Sequence, residues 1–151
     1  MAAQTIQYPL TKFHFKVDLG DNKGDLSFQE VTGLEMTREK AEYRGGMDQS
    51  FIKQQIPGMK TFGELTLKRG TFAGNNDFFE WWNGSAQDKA PSRQNLNIRL
   101  LNAAGNAVMT WKVANAFPTK VTSTDLNAQN NEIAIETLVL AHEGIELEAN
   151  K

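Results

Sequence analysis

Along most of this chain hydrophobic and polar residues alternate with a period of two, the spacing of strands that turn one face to a core. Phe13, Phe15 and Val17 alternate with His14, Lys16 and Asp18, and the run ends at Gly20-Asp21-Asn22-Lys23-Gly24. Those turn-formers predict a hairpin into a second strand through Leu26, Phe28 and Val31 to Gly33-Leu34. Lys60 to Lys68 sets Leu65 and Leu67 against Glu64, Thr66 and Lys68, with Arg69-Gly70 closing the strand. Leu96, Ile98 and Leu100 alternate up to the turn cluster Asn102 to Asn106, from which Val108 to Phe117 is expected to pair back with Met109, Trp111 and Val113 on one face.

Val108 to Phe117 and Asn131 to Glu143 read as two unusually long strands separated by Pro118 and a polar turn. Pro118 donates no hydrogen bond, so it belongs at a bend or an edge, with Lys120 to Asp125 continuing the sheet beyond it. In the second strand the alternation breaks near Thr137, where Leu138, Val139 and Leu140 are consecutive, so either a bulge shifts the register or both faces become covered. Strands much longer than the usual five or six residues present long rows of N–H and C=O groups, which other copies could satisfy.

Two segments depart from the pattern. Between residues 37 and 59 it dissolves into mixed charges, Gly45-Gly46 and scattered apolar residues, among them Tyr43, Met47, Phe51, Ile52 and Ile56. A structureless connection of that length within a compact domain is usually functional or ordered by a partner, so it reads as an arm. A solvated loop with incidental apolar residues is the plainer alternative; the adjacent Phe51 and Ile52 favour an inter-subunit contact. The second departure is a short helix. Asn75 or Asn76 can cap it, Asp77 and Glu80 suit its positive end, Phe78, Trp81 and Trp82 share a face, and Gly84 offers a stop. The expected fold is mainly β, an antiparallel β-barrel or sandwich with one short flanking α-helix.

At 151 residues the chain fits one domain that needs no covalent staple. The absence of cysteine excludes disulfides and thiolate metal sites and suits assembly in a reducing cytoplasm. A net charge of −2 with interspersed signs leaves no footprint for tight duplex binding. Met1 to Lys12 lacks the basic and apolar stretches of a leader, and no run of about 18 apolar residues suggests a membrane helix.

Candidate chemistry is sparse. His14 and His142 lack the spacing that puts two ligands on one metal, and no Gly-x-Ser-x-Gly elbow occurs. His142 and Glu143 are adjacent on a strand, so they face opposite sides and cannot orient each other as an acid–base pair. The Phe78, Trp81 and Trp82 stripe could stack on sugars or bases but is better read as a packing face. Asn83-Gly84-Ser85 matches a glycosylation sequon and is discounted without a secretion signal. The expectation is a protein that is not an enzyme and carries no cofactor.

Taken in order, Phe28-x-x-Val31-x-Gly33-Leu34, Glu42-Tyr43-Arg44-Gly45-Gly46, Pro57-Gly58, Leu65 to Gly70, the Phe78 to Trp82 helix, Trp111-Lys112-Val113-x-Asn115-Ala116-Phe117-Pro118, Asn131 to Glu136 and Ala141-His142-Glu143-Gly144 span nearly the whole chain. This ordered set resembles the inner-tube protein of contractile phage tails and phage-tail-like injection systems. The resemblance implies six copies closing into a ring and rings stacking into a hollow tube. The implied partners are a contractile sheath, baseplate and tube-terminating proteins, and a lumenal cargo of protein or DNA. It further implies that the 37–59 arm reaches a neighbouring subunit or ring, with Tyr43, Arg44, Phe51 and Ile52 as contacts, and that polar strand faces such as Glu64, Thr66 and Lys68 line the lumen. Two other readings stand beside it: a monomeric barrel holding a small apolar ligand, and the related secreted ring protein of type VI secretion.

Overall fold

A computed structural model of the chain describes residues 8–20, 25–84, 90–129 and 131–150. Ten strands and one helix follow in the order β1 (Phe15–Asp18), β2 (Asp25–Leu26), β3 (Glu30–Thr32), β4 (Met36–Tyr43), β5 (Gln54–Phe62), β6 (Leu65–Gly70), α1 (Asp77–Asn83), β7 (Gln94–Leu101), β8 (Ala107–Thr122), β9 (Ile135–Ala141) and β10 (Gly144–Ala149). The fold is mainly antiparallel β with a short flanking helix, as the alternation predicted. β1 and β2 pair as a hairpin; residues 21–24 of the turn expected between them lie outside the described residues.

The architecture turns on β8, 16 residues long and shared by two layers. Its first half pairs with β7 on one edge and β10 on the other, and β7 carries on to β1 and β2. Its second half pairs with β9, followed by β6 and β3. β9 and β10 run one after the other along the same edge of β8, from Thr122↔Thr137 through Phe117↔Ala141 to Ala114↔Gly144 and Met109↔Ala149. The expected single strand Asn131 to Glu143 is thus corrected. Residues 131–134 are not strand, and pairing stops at His142-Glu143 and resumes at Gly144.

That interruption faces the place where β8 bends. Asn115 has a φ of 51°, unusual for a residue with a Cβ, and its side chain closes the corner. Asn115 Nδ2 donates to Glu143 Oε2 at 2.7 Å, Arg93 Nη1 donates to Glu143 Oε1 at 2.8 Å, and the Asn115 N–H donates to Asn95 Oδ1 at 3.1 Å. A second irregularity falls between Pro118 and Lys120, a bulge that suits a residue without an N–H. The break foreseen near Thr137 resolves on this strand: β9 keeps strict alternation, with Leu138 and Leu140 buried and Val139 half-buried.

The core fills the space between the layers. Val17, Leu96, Ile98 and Val113 come from one sheet, Leu65, Leu67, Leu138 and Leu140 from the other, and Phe78 from the helix. Phe78 and Trp81 pack inward, whereas Trp82, expected on the same face, is 44% exposed. Seven residues make barely two turns, so the buried arc of α1 is narrower than the sequence stripe. Trp81 Nε1 donates to the Ser92 carbonyl at 2.7 Å, and Gly84, at φ 76°, ends the helix as expected.

The largest revision concerns residues 37–59, which are not irregular. β4 and β5 form their own antiparallel two-stranded sheet, and every residue of β4 is exposed. It leaves the body where β3 ends and β6 begins. There Gly33, at φ 91°, passes the Glu64 carbonyl so closely that an added Cβ would sit 1.9 Å from the oxygen. The strand expected from Lys60 to Lys68 is accordingly split at Gly63-Glu64.

Candidate assembly surfaces

The hairpin's register explains why its sequence looks patternless. Met36↔Phe62, Thr37↔Thr61 and Arg38↔Lys60 pair directly, the register then shifts, and Lys40↔Pro57, Ala41↔Ile56, Glu42↔Gln55 and Tyr43↔Gln54 follow. Opposite Glu39 stand two residues, Gly58 and Met59, a bulge that reverses the inside–outside parity of β5. Cross-strand partners share a face. One face therefore gathers Ala41, Tyr43, Ile56 and, at the bulge, Met59 among the polar Thr37, Glu39, Gln54 and Thr61; the other carries Arg38, Lys40, Lys60 and Glu42 along with Met36, Pro57 and Phe62. Tyr43, Ile56 and Met59 are respectively 59%, 49% and 76% exposed, so the described residues leave this apolar face uncovered.

At the tip, Arg44 holds the loop together. Its Nε donates to the Ser50 carbonyl and its Nη2 to the Asp48 carbonyl, each at 3.1 Å, while Asp48 Oδ2 accepts from the Gly45 N–H at 3.2 Å. Phe51 and Ile52 follow, 94% and 77% exposed, with Met47 beside them in the same loop. Of the predicted contact residues, Phe51 and Ile52 are thus presented outward at the tip, Tyr43 lies on the apolar face, and Arg44 shapes the tip backbone.

His142 stands at the hairpin's base. Its Nε2 donates to the Gly63 carbonyl at 2.8 Å and its ring tilts against Phe62 at 5.8 Å, matching the expected strand-end polar contact rather than an acid–base pair with Glu143. His14 lies elsewhere, against the Asn102 carbonyl at 3.2 Å.

Two polar sheet faces remain open. Thr66 and Lys68 lie on the outer face of β6 with their cross-strand neighbours Thr32 and Glu30, and Lys68 pairs with Glu30 at 3.6 Å; Glu64 precedes the strand and is exposed. The outer face of the other sheet carries Asn97, Lys112, Glu146 and Glu148. There Lys112 Nζ lies 2.7 Å from Glu148 Oε2, and the hydrogen bond to Glu148, followed by its charge, raises the Lys112 pKa above the usual lysine value. The β10 edge that faces away from β8 pairs with no strand among the described residues.

Sequence reasoning missed the most buried charge. Arg69 continues the inward series of Leu65 and Leu67, is 3% exposed, and pairs with Glu136 across the β6–β9 ladder. The signal was present, since Arg69 sits at i+4 from Leu65 on an alternating strand, but arginine at a strand end reads as a solvated stop. Leu126 was also unremarked, and Ile133, expected within the strand from Asn131, lies before β9 instead; both are apolar residues of the β8–β9 loop, 93% and 82% exposed.

With this geometry in view, comparison with known proteins is direct. The family model of the T4-like virus tail tube protein gp19 matches residues 11–146. A search of curated proteins gives no match. A chain in the cryo-EM structure of the anti-feeding prophage tube-terminating cap is 31% identical, with a TM-score of 0.88 over 99% of this chain and 97% of that one. A chain in the sheath–tube complex of the PVC extracellular contractile injection system, in its extended state, is 32% identical, with a TM-score of 0.84 over 96% of this chain and 95% of that one. Hcp1 from Flavobacterium johnsoniae shares the fold at 13% identity, with a TM-score of 0.54 over 91% of this chain and 97% of that one. The tail tube family and the anti-feeding prophage and PVC matches are structural tube proteins rather than enzymes, and the chain belongs to the family of T4-like tail tube proteins.

Proposed function

We propose that copies of this chain close into hexameric rings that stack into the inner tube of a contractile injection particle. The observation that carries this reading is the β4–β5 hairpin, a two-stranded sheet whose apolar residues the described residues leave uncovered. An isolated hairpin is at best marginally stable in water, so a second copy that buries the face is its natural support. The unpaired margin of β10 offers a further place for strand pairing between copies. Head-to-tail contacts of this kind close into rings or extend into filaments, and repeated identical contacts give a stiff conduit without bond chemistry.

The relatives weigh for an injection particle over a type VI ring. Identity is 24% to 33% with chains of the anti-feeding prophage and PVC assemblies, against 11% to 13% with the Hcp proteins. The sheath, terminator and baseplate in those related structures support the same classes of partner here. In this reading the tube assembles in the bacterial cytoplasm, a polar face such as that of Thr66 and Lys68 lines the channel, and sheath contraction drives the tube with a protein or DNA cargo into a target. The packed leucine core between the sheets weighs against a ligand-holding barrel.

The test is a deletion of residues 47–56, followed by circular dichroism and negative-stain microscopy. Retained β signal with loss of rings and tubes is the expected result; tubes of normal length from the shortened chain would refute the role given to the hairpin.

A further inference from the structure

The hairpin leaves from one end of β6, and the β8–β9 loop lies at the other. Leu65 at the start of β6 pairs with Leu140, whereas Gly70 at its end pairs with Ile135, and the Thr71 N–H donates to the Ala134 carbonyl at 2.9 Å. Six residues of strand separate the two ends, about 20 Å at a rise of about 3.3 Å per residue. The described part of this loop borders an open cleft of about 740 Å³, lined by Thr124, Asp125, Leu126, Asn127, Glu132 and Ile133 among others.

The two ends are complementary in character. Leu126 and Ile133 are almost fully exposed, as are Phe51 and Met47 at the hairpin tip, and each pair is costly to leave in water. Charge is complementary as well. Five of the 16 basic residues but only three of the 18 acidic ones lie within residues 36–62, and residues 43–54 at the tip carry Arg44 and Lys53 against Asp48, a net +1. The loop over residues 123–134 contains Asp125 and Glu132 and no basic residue.

We propose that the hairpin tip of one copy docks in the β8–β9 cleft of the next, Phe51 and Ile52 packing on Leu126 and Ile133 while Asp125 and Glu132 face the basic hairpin. This deepens the tube reading and rests on it, since the occupant is a second copy of this chain. Donor and acceptor lie at opposite ends of one sheet, so the contact is heterologous and propagates, leaving a free tip and a free cleft at every stage.

The absence of cysteine allows a clean test. In a chain carrying both Ile52→Cys and Ile133→Cys, a bridge within one copy leaves the band at monomer size, so only bridges between copies can extend a ladder. Mild oxidation should give a covalent ladder beyond the dimer on non-reducing gels, whereas either single variant can give at most dimers. Rings or tubes of the double variant that form without cross-links would overturn the docking site. If residues 47–56 still proved essential for growth, the hairpin's general role would survive that result. Where the cysteine pair itself blocks growth, a chain with Leu126→Lys and Ile133→Lys decides: it should keep its circular dichroism and raise the concentration needed for assembly at least tenfold. Growth at the unmodified concentration would overturn the proposal.

Discussion

The Arg69 guanidinium lies 3.8 Å from the centroid of the Phe78 ring, and Phe28 stacks on the same ring with centroids 5.9 Å apart. Arg69 is simultaneously held in plane by Glu136, through Nε, and by Asn75 Oδ1 at 3.2 Å, which also accepts from the Asp77 N–H at 3.1 Å. One buried cation thereby joins β6, β9 and the first turn of α1. Its Nε and Nη2 donate to these partners, its charge is paired, and its flat face is covered by an aromatic ring, conditions that favour a buried arginine.

Removing either charge alone leaves the other buried without its partner. Arg69→Ala or Glu136→Ala should each cost about 3–5 kcal/mol, and Arg69→Lys should not rescue, because an ammonium supplies neither the fork nor the flat face. The joint replacement Arg69→Met with Glu136→Leu should recover much of the loss. Urea unfolding followed by tryptophan fluorescence measures all four variants, and additive losses in the joint replacement would show that the pair is not coupled.

Gly33 sets where the hairpin leaves the body. At φ 91° with the Glu64 carbonyl in the way, any Cβ must displace backbone, not a side chain. Gly33→Ala should therefore cost at least about 2 kcal/mol, while Gly46→Ala, whose Cβ would meet open space, should fall within about 0.5 kcal/mol of the unmodified chain. Equal melting temperatures for the two variants would mean that the close approach at Gly33 is relieved at no cost.

Lys112 and Glu148 give a pH signature whose sign follows from the raised lysine pKa. The ordinary value is 10.5, and the folded state holds the proton more tightly. The pair's contribution is thus fully present below pH 10.5 and is lost as pH rises through the folded value above it. The difference in melting temperature between the native chain and Lys112→Met should stay constant from pH 7 to pH 10 and shrink beyond, and added salt should reduce it throughout, since both groups are exposed. A difference that vanished already at neutral pH would locate its origin elsewhere.

What the sequence shows follows from which faces the chain itself buries. Leu65 and Leu67, or Leu96 and Ile98, alternate cleanly because one side meets the core and the other water. The hairpin has no such asymmetry within one copy, and the bulge at Gly58-Met59 reverses parity midway, so its apolar face is spread over both sequence registers. The boundary between β9 and β10 was hidden for a different reason: the bend at Asn115 is closed by hydrogen bonds that involve the side chains of Asn95, Glu143 and Arg93, remote in sequence. Arg69 was misjudged because its partners come from two other elements, Leu126 passed unnoticed because an isolated apolar residue in a polar loop carries no period, and Ile133 was counted into the strand because it continues the alternation of Ile135.

The two faces of the hairpin should separate in experiment. Tyr43, Ile56 and Met59 form the apolar face, where contact with another copy removes surface from water and slows dissociation. Arg38, Lys40 and Lys60 form the basic face, where charge mainly steers encounter. Ile56→Asp should raise the concentration needed for tube growth at least tenfold, equivalent to about 1.4 kcal/mol per contact, yet leave monomer stability within about 0.5 kcal/mol because the residue is exposed. Replacing Lys40 and Lys60 by Gln should instead slow growth at low salt and leave the final amount of tube nearly unchanged, the difference fading as ionic strength rises. Light scattering gives the growth rate and sedimentation the end point. A basic-face variant whose end point fell as far as that of Ile56→Asp would mean that the charges are buried in the finished contact, and the division of labour between the faces would have to be abandoned.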